Sequence, residues 1–264
     1  MTPGRLREVL DRLGADSPAV PLAGGTSTGV YHVGGQVVRL VSHGDATSQA
    51  DLAGRAAATG VSPAVAAHYP DLGALVLEHV DGRTLTELDL RDPAVLHRVA
   101  VALRQLHTAE LSGRRLDMHT VLAAYATAPD LPPGWVDQLR TVQEYIDDLA
   151  DSSLVLCHGD LVAANLVDDG RRVWLVDLDD AVDADPAYDL GNLWVQAGLD
   201  DSALDTLVDT YGGVDVDRVL RWAVVVAYTW TAWSRLRARA PVPAGYDPLA
   251  FGNRLWEFAR ARLC

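Results

Sequence analysis

The sequence contains no lysine: all 22 basic residues among its 264 are arginine, set against 36 Asp and Glu, for a formal net charge of -14. An acidic surface of that size repels a phosphate backbone and argues against nucleic acid as a partner. It is compatible with a cationic substrate, and equally with solubility alone. Cysteine is scarce: Cys157 and Cys264 form no disulfide framework, so a reducing, cytoplasmic setting is expected. Long apolar runs are also missing. The opening MTPGRLREVLDRL puts charge in every turn and has no signal-peptide core, and the apolar stretch over residues 222–230 is far too short for a bilayer. No membrane association is expected, and neither a repeat nor a low-complexity segment stands out. Nothing in the sequence specifies an oligomeric state.

What is present is enough apolar material for a sizeable core, 49% of residues. Leu6, Val9, Leu10 and Leu13 share one face of a short helix over residues 3–13. Residues 29–41 change to a β pattern around Gly34-Gly35, which predicts a hairpin, preceded by the small-residue loop GGTSTG. An alanine-rich helix over 47–59 ends at Gly60, and short apolar runs near Val65 and over 74–80 read as strands. Asp81-Gly82 marks a turn and hinge. Beyond it the pattern is helical over 93–109, 118–126 and 135–150, β-rich between 154 and 180, then helical again after Pro186. The expected fold class is α+β in two lobes: residues 1–81 mostly sheet, residues 82–264 mostly helix.

The segment VLCHGDLVAANLVDDGRRVWLVDLDDA, residues 155–181, concentrates polar groups at strand ends. One strand ends in His158-Gly159-Asp160. Asn165 opens the next, and a turn at Asp168-Asp169-Gly170 returns the chain along a strand ending in Asp177. Such a hairpin brings Asn165 and Asp177 together, with Asp160 at the same end. Phosphoryl transfer requires a carboxylate that orients the attacking hydroxyl and oxygen ligands that hold Mg²⁺ against the phosphates. Asp160 suits the first role. Asn165 and Asp177 suit the second, since Mg²⁺ prefers hard oxygen donors. The five-residue step from Asp160 to Asn165 matches the kinase catalytic loop.

On HGDLVAAN followed by VDLD, the sequence resembles the aminoglycoside phosphotransferase and choline kinase superfamily. The similarity extends over GGTSTGVYHV, VVRL, LVLEHVDGRTL and DPAYDLGNLWVQAGL. The C-terminal YTWTAWSRL is nearest to choline kinase-like members. The resemblance implies a protein-kinase-like two-lobed fold and Mg-ATP-dependent phosphate transfer to a hydroxyl of a small molecule. The first choice of acceptor is a choline- or ethanolamine-like amino alcohol, the second an aminoglycoside. It implies Asp160 and His158 as the catalytic pair, with His158 more a holder of the loop than a base, and Asn165 and Asp177 as metal ligands. It also implies phosphate contacts from Gly24, Gly25, Ser27, Thr28 and Arg39, and backbone contacts from Glu78, His79 and Val80 to the adenine. Asp189 is expected to brace the loop.

For the acceptor side, Asp179 (or Asp180), Trp194, Trp230 and Trp233 are the candidates, because aromatic rings attract quaternary ammonium groups. Aromatics at helical spacing, Trp222 and Tyr228 among them, serve equally well as core. No A-P-E segment of the protein-kinase kind is present, which disfavours a protein acceptor. One departure stands out. The helix Glu that partners the basic residue of the third strand falls on Gln49, which cannot form an ion pair with Arg39. That feature admits a second reading, a nucleotide-binding pseudokinase or regulatory module.

Overall fold

The computed structural model describes residues 3–22, 29–41, 45–150, 152–242 and 245–263. The N-terminal part is a five-stranded antiparallel sheet in the order β1-β2-β3-β5-β4. Its strands are β1 (Val20–Pro21), β2 (Gly29–Val33), β3 (Gln36–Leu40), β4 (Val65–Tyr69) and β5 (Ala74–Glu78). The hairpin at Gly34-Gly35 sets the β2–β3 register, pairing Tyr31 with Val38 and Val30 with Arg39. Helix α1 (Pro3–Leu13) packs Val9 onto Val33, Val38, Leu40 and Val76, and Arg5 donates to the Val41 and Gly73 carbonyls. Because side chains alternate along a strand, burying Val38 and Leu40 under α1 sends Arg39 to the opposite face. Helix α2 (Ala46–Ala58) packs against β4 and β5.

The remainder is mainly helical: α3 (Pro93–Leu106), α4 (Met118–Tyr125), α5 (Leu139–Leu149), α6 (Pro186–Ala197), α7 (Asp201–Tyr211), α8 (Val216–Arg237) and α9 (Pro248–Leu263). Two small strand groups lie within it. β6 (Arg83–Thr84), β8 (Leu166–Asp168) and β9 (Val173–Leu175) form one, and β7 (Val155–Cys157) with β10 (Val182–Ala184) forms the other. α6 crosses α8 closely at Gly191, where a Cβ would lie 2.8 Å from the Val219 carbonyl oxygen and the Ala223 nitrogen. None of the described helices is long and apolar enough to cross a membrane.

Much of the acidic charge has a local structural use. Asp45, Asp92, Asp117, Asp185, Asp200 and Asp215 are N-caps whose carboxylates accept first-turn N–H groups of α2, α3, α4, α6, α7 and α8. Each such cap is worth about 1 kcal/mol relative to alanine. Only the residual acidity is left to act on substrates. The predicted helix over 135–150 begins later than expected: residues 136–138 form a 3₁₀ turn, and α5 follows.

Candidate active site

Strand β7 and its antiparallel partner β10 create the site, because the chain leaves β7 at His158 and re-enters β10 at Val182, opposite Cys157. Residues 158–165 and 176–181 therefore lie side by side. The Val176 N–H donates to the Asn165 carbonyl at 3.0 Å, which locks the two loops together. Gly159 sits at φ +85°, and a Cβ there would lie 2.1 Å from the Asp180 carbonyl oxygen, so only glycine fits. Helix α6 grips the same loop. Asp189 accepts from the His158 N–H at 2.7 Å, the Gly159 N–H at 3.1 Å and His107 Nε2 at 3.0 Å, while Asn192 donates to the Gly159 carbonyl. Asp189 is fully buried. Burial opposes its ionisation, but these donors prevail and hold its carboxyl below the usual range.

His158 has no exposure. Its Nδ1 accepts from the Asp160 N–H at 3.4 Å, and its Nε2 is 2.9 Å from the Val176 carbonyl, to which it donates. Both nitrogens thus face backbone, so the ring bridges the two loops. Asp160 lines the main cavity. Asn165 Nδ2 donates to its carbonyl at 2.9 Å and lies 3.4 Å from its Oδ2. Burial, with the Asp180 and Asp177 carboxylates nearby, pushes the Asp160 carboxyl up.

Asn165 and Asp177 were expected as metal ligands. With Nδ2 of Asn165 turned inward, no described residue bonds its Oδ1. Asp177 sits at φ +63° with a half-exposed side chain, and the Arg39 guanidinium takes its Oδ1 at 2.8 Å. An amide oxygen and a carboxylate, on two loops joined by the Val176–Asn165 backbone bond, are hard donors of the kind that suits Mg²⁺. By contrast, the cluster of His107, Cys157 and Asp189 is closed. Tyr211 and Asp189 engage both His107 nitrogens, and the Cys157 thiol, pushed up by burial, donates to the Asp185 carbonyl.

Arg39 is nearly buried and holds both carboxylates that flank Leu178. Nη1 reaches Asp179 Oδ1 at 2.7 Å, and Nη2 reaches Asp179 Oδ2 as well as Asp177. Gln49 Nε2 donates to Asp179 Oδ2 at 2.9 Å. This corrects the expectation for Asp179: its carboxylate faces Arg39 and Gln49, not the acceptor. Asp180, the other of the pair, lines the cavity.

Gly24, Gly25, Ser27 and Thr28 lie outside the described residues. At the end of β5 the Glu78 N–H donates to the Ala64 carbonyl and the His79 N–H to that of Gly35, while no described residue takes the Val80 N–H. The His32 and His79 rings meet edge to face at 4.5 Å.

A cavity of about 820 Å³ opens from Asp160 into the helical part. Trp230 and Trp233 line it, together with Tyr125, Tyr246 and Phe251, which the sequence reading did not single out. These three come from α4, from the segment before α9 and from α9 itself, with no shared spacing to announce them. Three carboxylates, Asp160, Asp180 and Glu87, and two arginines, Arg114 and Arg237, complete its charged lining. Trp194 does not belong to it. Its Nε1 donates to the Asp200 carbonyl and its ring packs on Phe258 beside a separate small pocket. Trp222 and Tyr228 are core, the first bonded to Asp185 and the second stacked on Trp135.

The sequence matches the phosphotransferase enzyme family over residues 18–223. Mouse (Mus musculus) ethanolamine kinase 2 is 27% identical over 134 residues, 45% of this chain, and the match spans only about a third (34%) of that protein. A choline/ethanolamine kinase family protein from Mesorhizobium loti superposes with a TM-score of 0.84 at 25% identity, covering 97% of this chain and 94% of that one. Choline kinase LicA from Streptococcus pneumoniae superposes at 0.81 and 16% identity, covering 97% and 98%; another structure of it holds AMP. The sheet-rich and helical parts thus form a kinase-like two-lobed α+β fold.

Proposed function

The chain belongs to the phosphotransferase enzyme family, and we propose that it moves the γ-phosphate of Mg-ATP onto the hydroxyl of a cationic amino alcohol. The observation that carries this reading is the juxtaposition of two unlike surfaces. On one side Arg39, Asn165 and Asp177 present a cation and two hard oxygens; on the other, Asp160 heads a cavity walled by rings and carboxylates.

Within this reading, Asn165 and Asp177 would hold Mg²⁺, whose charge would offset that of the phosphates. Arg39, held in place by Asp179, adds its positive charge beside the phosphates. The Val80 N–H, which no described residue takes, is available to the adenine edge. Asp160 accepts a hydrogen bond from the acceptor hydroxyl and holds its oxygen in line with the γ-phosphorus; its carboxylate takes the proton as the new P–O bond forms and the bond from the γ-phosphorus to the β-phosphate oxygen breaks, with ADP as the leaving group. His158 and Asp189 keep the backbone of that loop fixed. Asp180 and the rings attract the ammonium group, each ring contributing about 0.5 to 2 kcal/mol by cation–π attraction. The free thiol of Cys157 fits a cytoplasmic setting.

The relatives named choline and ethanolamine kinase support this acceptor class ahead of an aminoglycoside. An assay with labelled ATP against ethanolamine, choline and an aminoglycoside tests it. Label in a phosphomonoester of an amino alcohol is the expected result, and transfer to the aminoglycoside alone would refute the acceptor class.

A further inference from the structure

The cavity is much larger than the amino alcohols named above. Ethanolamine has four heavy atoms and fills on the order of 100 Å³, judged from the volume that a water molecule occupies in the liquid. The cavity holds about 820 Å³, towards the upper end of the roughly 300–1,000 Å³ typical of drug-sized ligands.

Its wall is also longer than one ammonium group needs. Tyr125 meets Trp230 at 5.8 Å, Trp230 meets Trp233 at 5.8 Å, Trp233 meets Phe251 at 6.3 Å and Phe251 meets Tyr246 at 6.3 Å. A cation interacts with rings whose centroids lie within about 6 Å of it. Each neighbouring pair in the row is itself about that far apart, so one ammonium cannot engage the whole row. The rings beyond its reach offer apolar surface. A polycationic sugar would need anionic or polar partners along its full length; the three carboxylates of the lining are set against two arginines, and the ring row itself offers apolar surface.

We propose that the acceptor is a cationic alcohol bearing a bulky apolar substituent, its ammonium beside Asp180 and Tyr125 and its apolar body along Trp230, Trp233 and Phe251. The inference rests on the amino-alcohol reading and adds the size and polarity of the rest of the molecule.

The test is a series with one headgroup: choline, then the same quaternary ammonium alcohol with butyl, hexyl or benzyl in place of one methyl. Binding to the full-length enzyme is measured by calorimetry in the presence of a non-hydrolysable Mg-nucleotide, so turnover is not required. The dissociation constant is expected to fall about fourfold for each methylene buried, and Trp233→Ala should make that dependence shallower. No binding, or affinity that is flat or weakens with substituent size, overturns the proposal, and the wild-type series decides this if the variant fails to fold. Transfer to the same series is scored separately. Tightening without phosphorylation of any member would sink the amino-alcohol kinase reading and leave the apolar preference standing. Phosphorylation of choline with no gain from the substituents would do the reverse.

Discussion

Arg39 on β3 grips Asp179 through both of its terminal nitrogens, with contacts of 2.7 Å and 2.5 Å, and Gln49 on α2 donates to the same carboxylate. The ion pair that a helix Glu would supply is thereby replaced by one across the cleft, with Gln49 as a neutral third member. An amide suits that position, because a second carboxylate 2.9 Å from Asp179 would repel it.

Gln49→Glu is therefore expected to impair the enzyme, although it restores the residue the family pattern calls for. The KM for Mg-ATP should rise several-fold. Asp179→Asn should move KM in the same direction by freeing Arg39. Steady-state kinetics at varied ATP check both, and a gain in kcat/KM for Gln49→Glu would show that Asp179 does not hold Arg39 in the working enzyme.

Asp160→Asn should reduce kcat by about 10²- to 10⁴-fold, the usual contribution of a positioned base. Nucleotide affinity, read by calorimetry, should change little, because Asp160 faces the cavity while Arg39, Asn165 and Asp177 are the residues proposed for the nucleotide side.

Asp189→Asn puts an NH₂ group where the wild type has only acceptors for the N–H groups of His158 and Gly159 and for His107. Breaking such a buried charged network costs about 3–5 kcal/mol. The sign of its pH dependence follows from the lowered carboxyl value. Stability from Asp189 is fully present above the unfolded carboxyl value of about 3.9 and is lost as pH falls through the lower folded value. Denaturant midpoints between pH 7 and 3 should thus fall less steeply in Asp189→Asn than in the wild type. Equal slopes would show that other carboxylates govern acid unfolding.

Asp180→Asn should raise the KM for a cationic acceptor about tenfold while the KM for ATP stays near the wild-type value. Initial rates at varied acceptor and varied ATP separate the two. An equal rise in both would place Asp180 on the nucleotide side.

The elements were legible where period and punctuation agreed. Gly34-Gly35 fixed a hairpin, and the spacing from Asp160 through Asn165 to Asp177 survived folding because one short hairpin joins them. The acidic run 177–189 was legible only in part: Asp189 was read as a brace for the loop and does accept from it, but the pairing of Asp179 with Arg39 was not foreseen. Asp177, Asp179, Asp180, Asp183, Asp185 and Asp189 look alike in sequence, yet their partners are respectively Arg39, Arg39 with Gln49, the cavity, the Ser112 and Gly113 N–H groups, the α6 N-terminus with Arg218 and Trp222, and the His158–Gly159 loop. Those assignments depend on which chain packs opposite, information that no local pattern carries. The aromatics divide for the same reason: Trp194 and Trp233 look equivalent as side chains, but one faces Phe258 in a separate pocket and the other faces the cavity.

Phosphorus NMR of the enzyme incubated with Mg-ATP and a quaternary ammonium alcohol tests the central claim most directly. ADP together with a new phosphomonoester resonance on the acceptor is expected with the wild type and should be absent with Asp160→Asn. Binding of Mg-ATP with no phosphomonoester formed on any amino alcohol would contradict it.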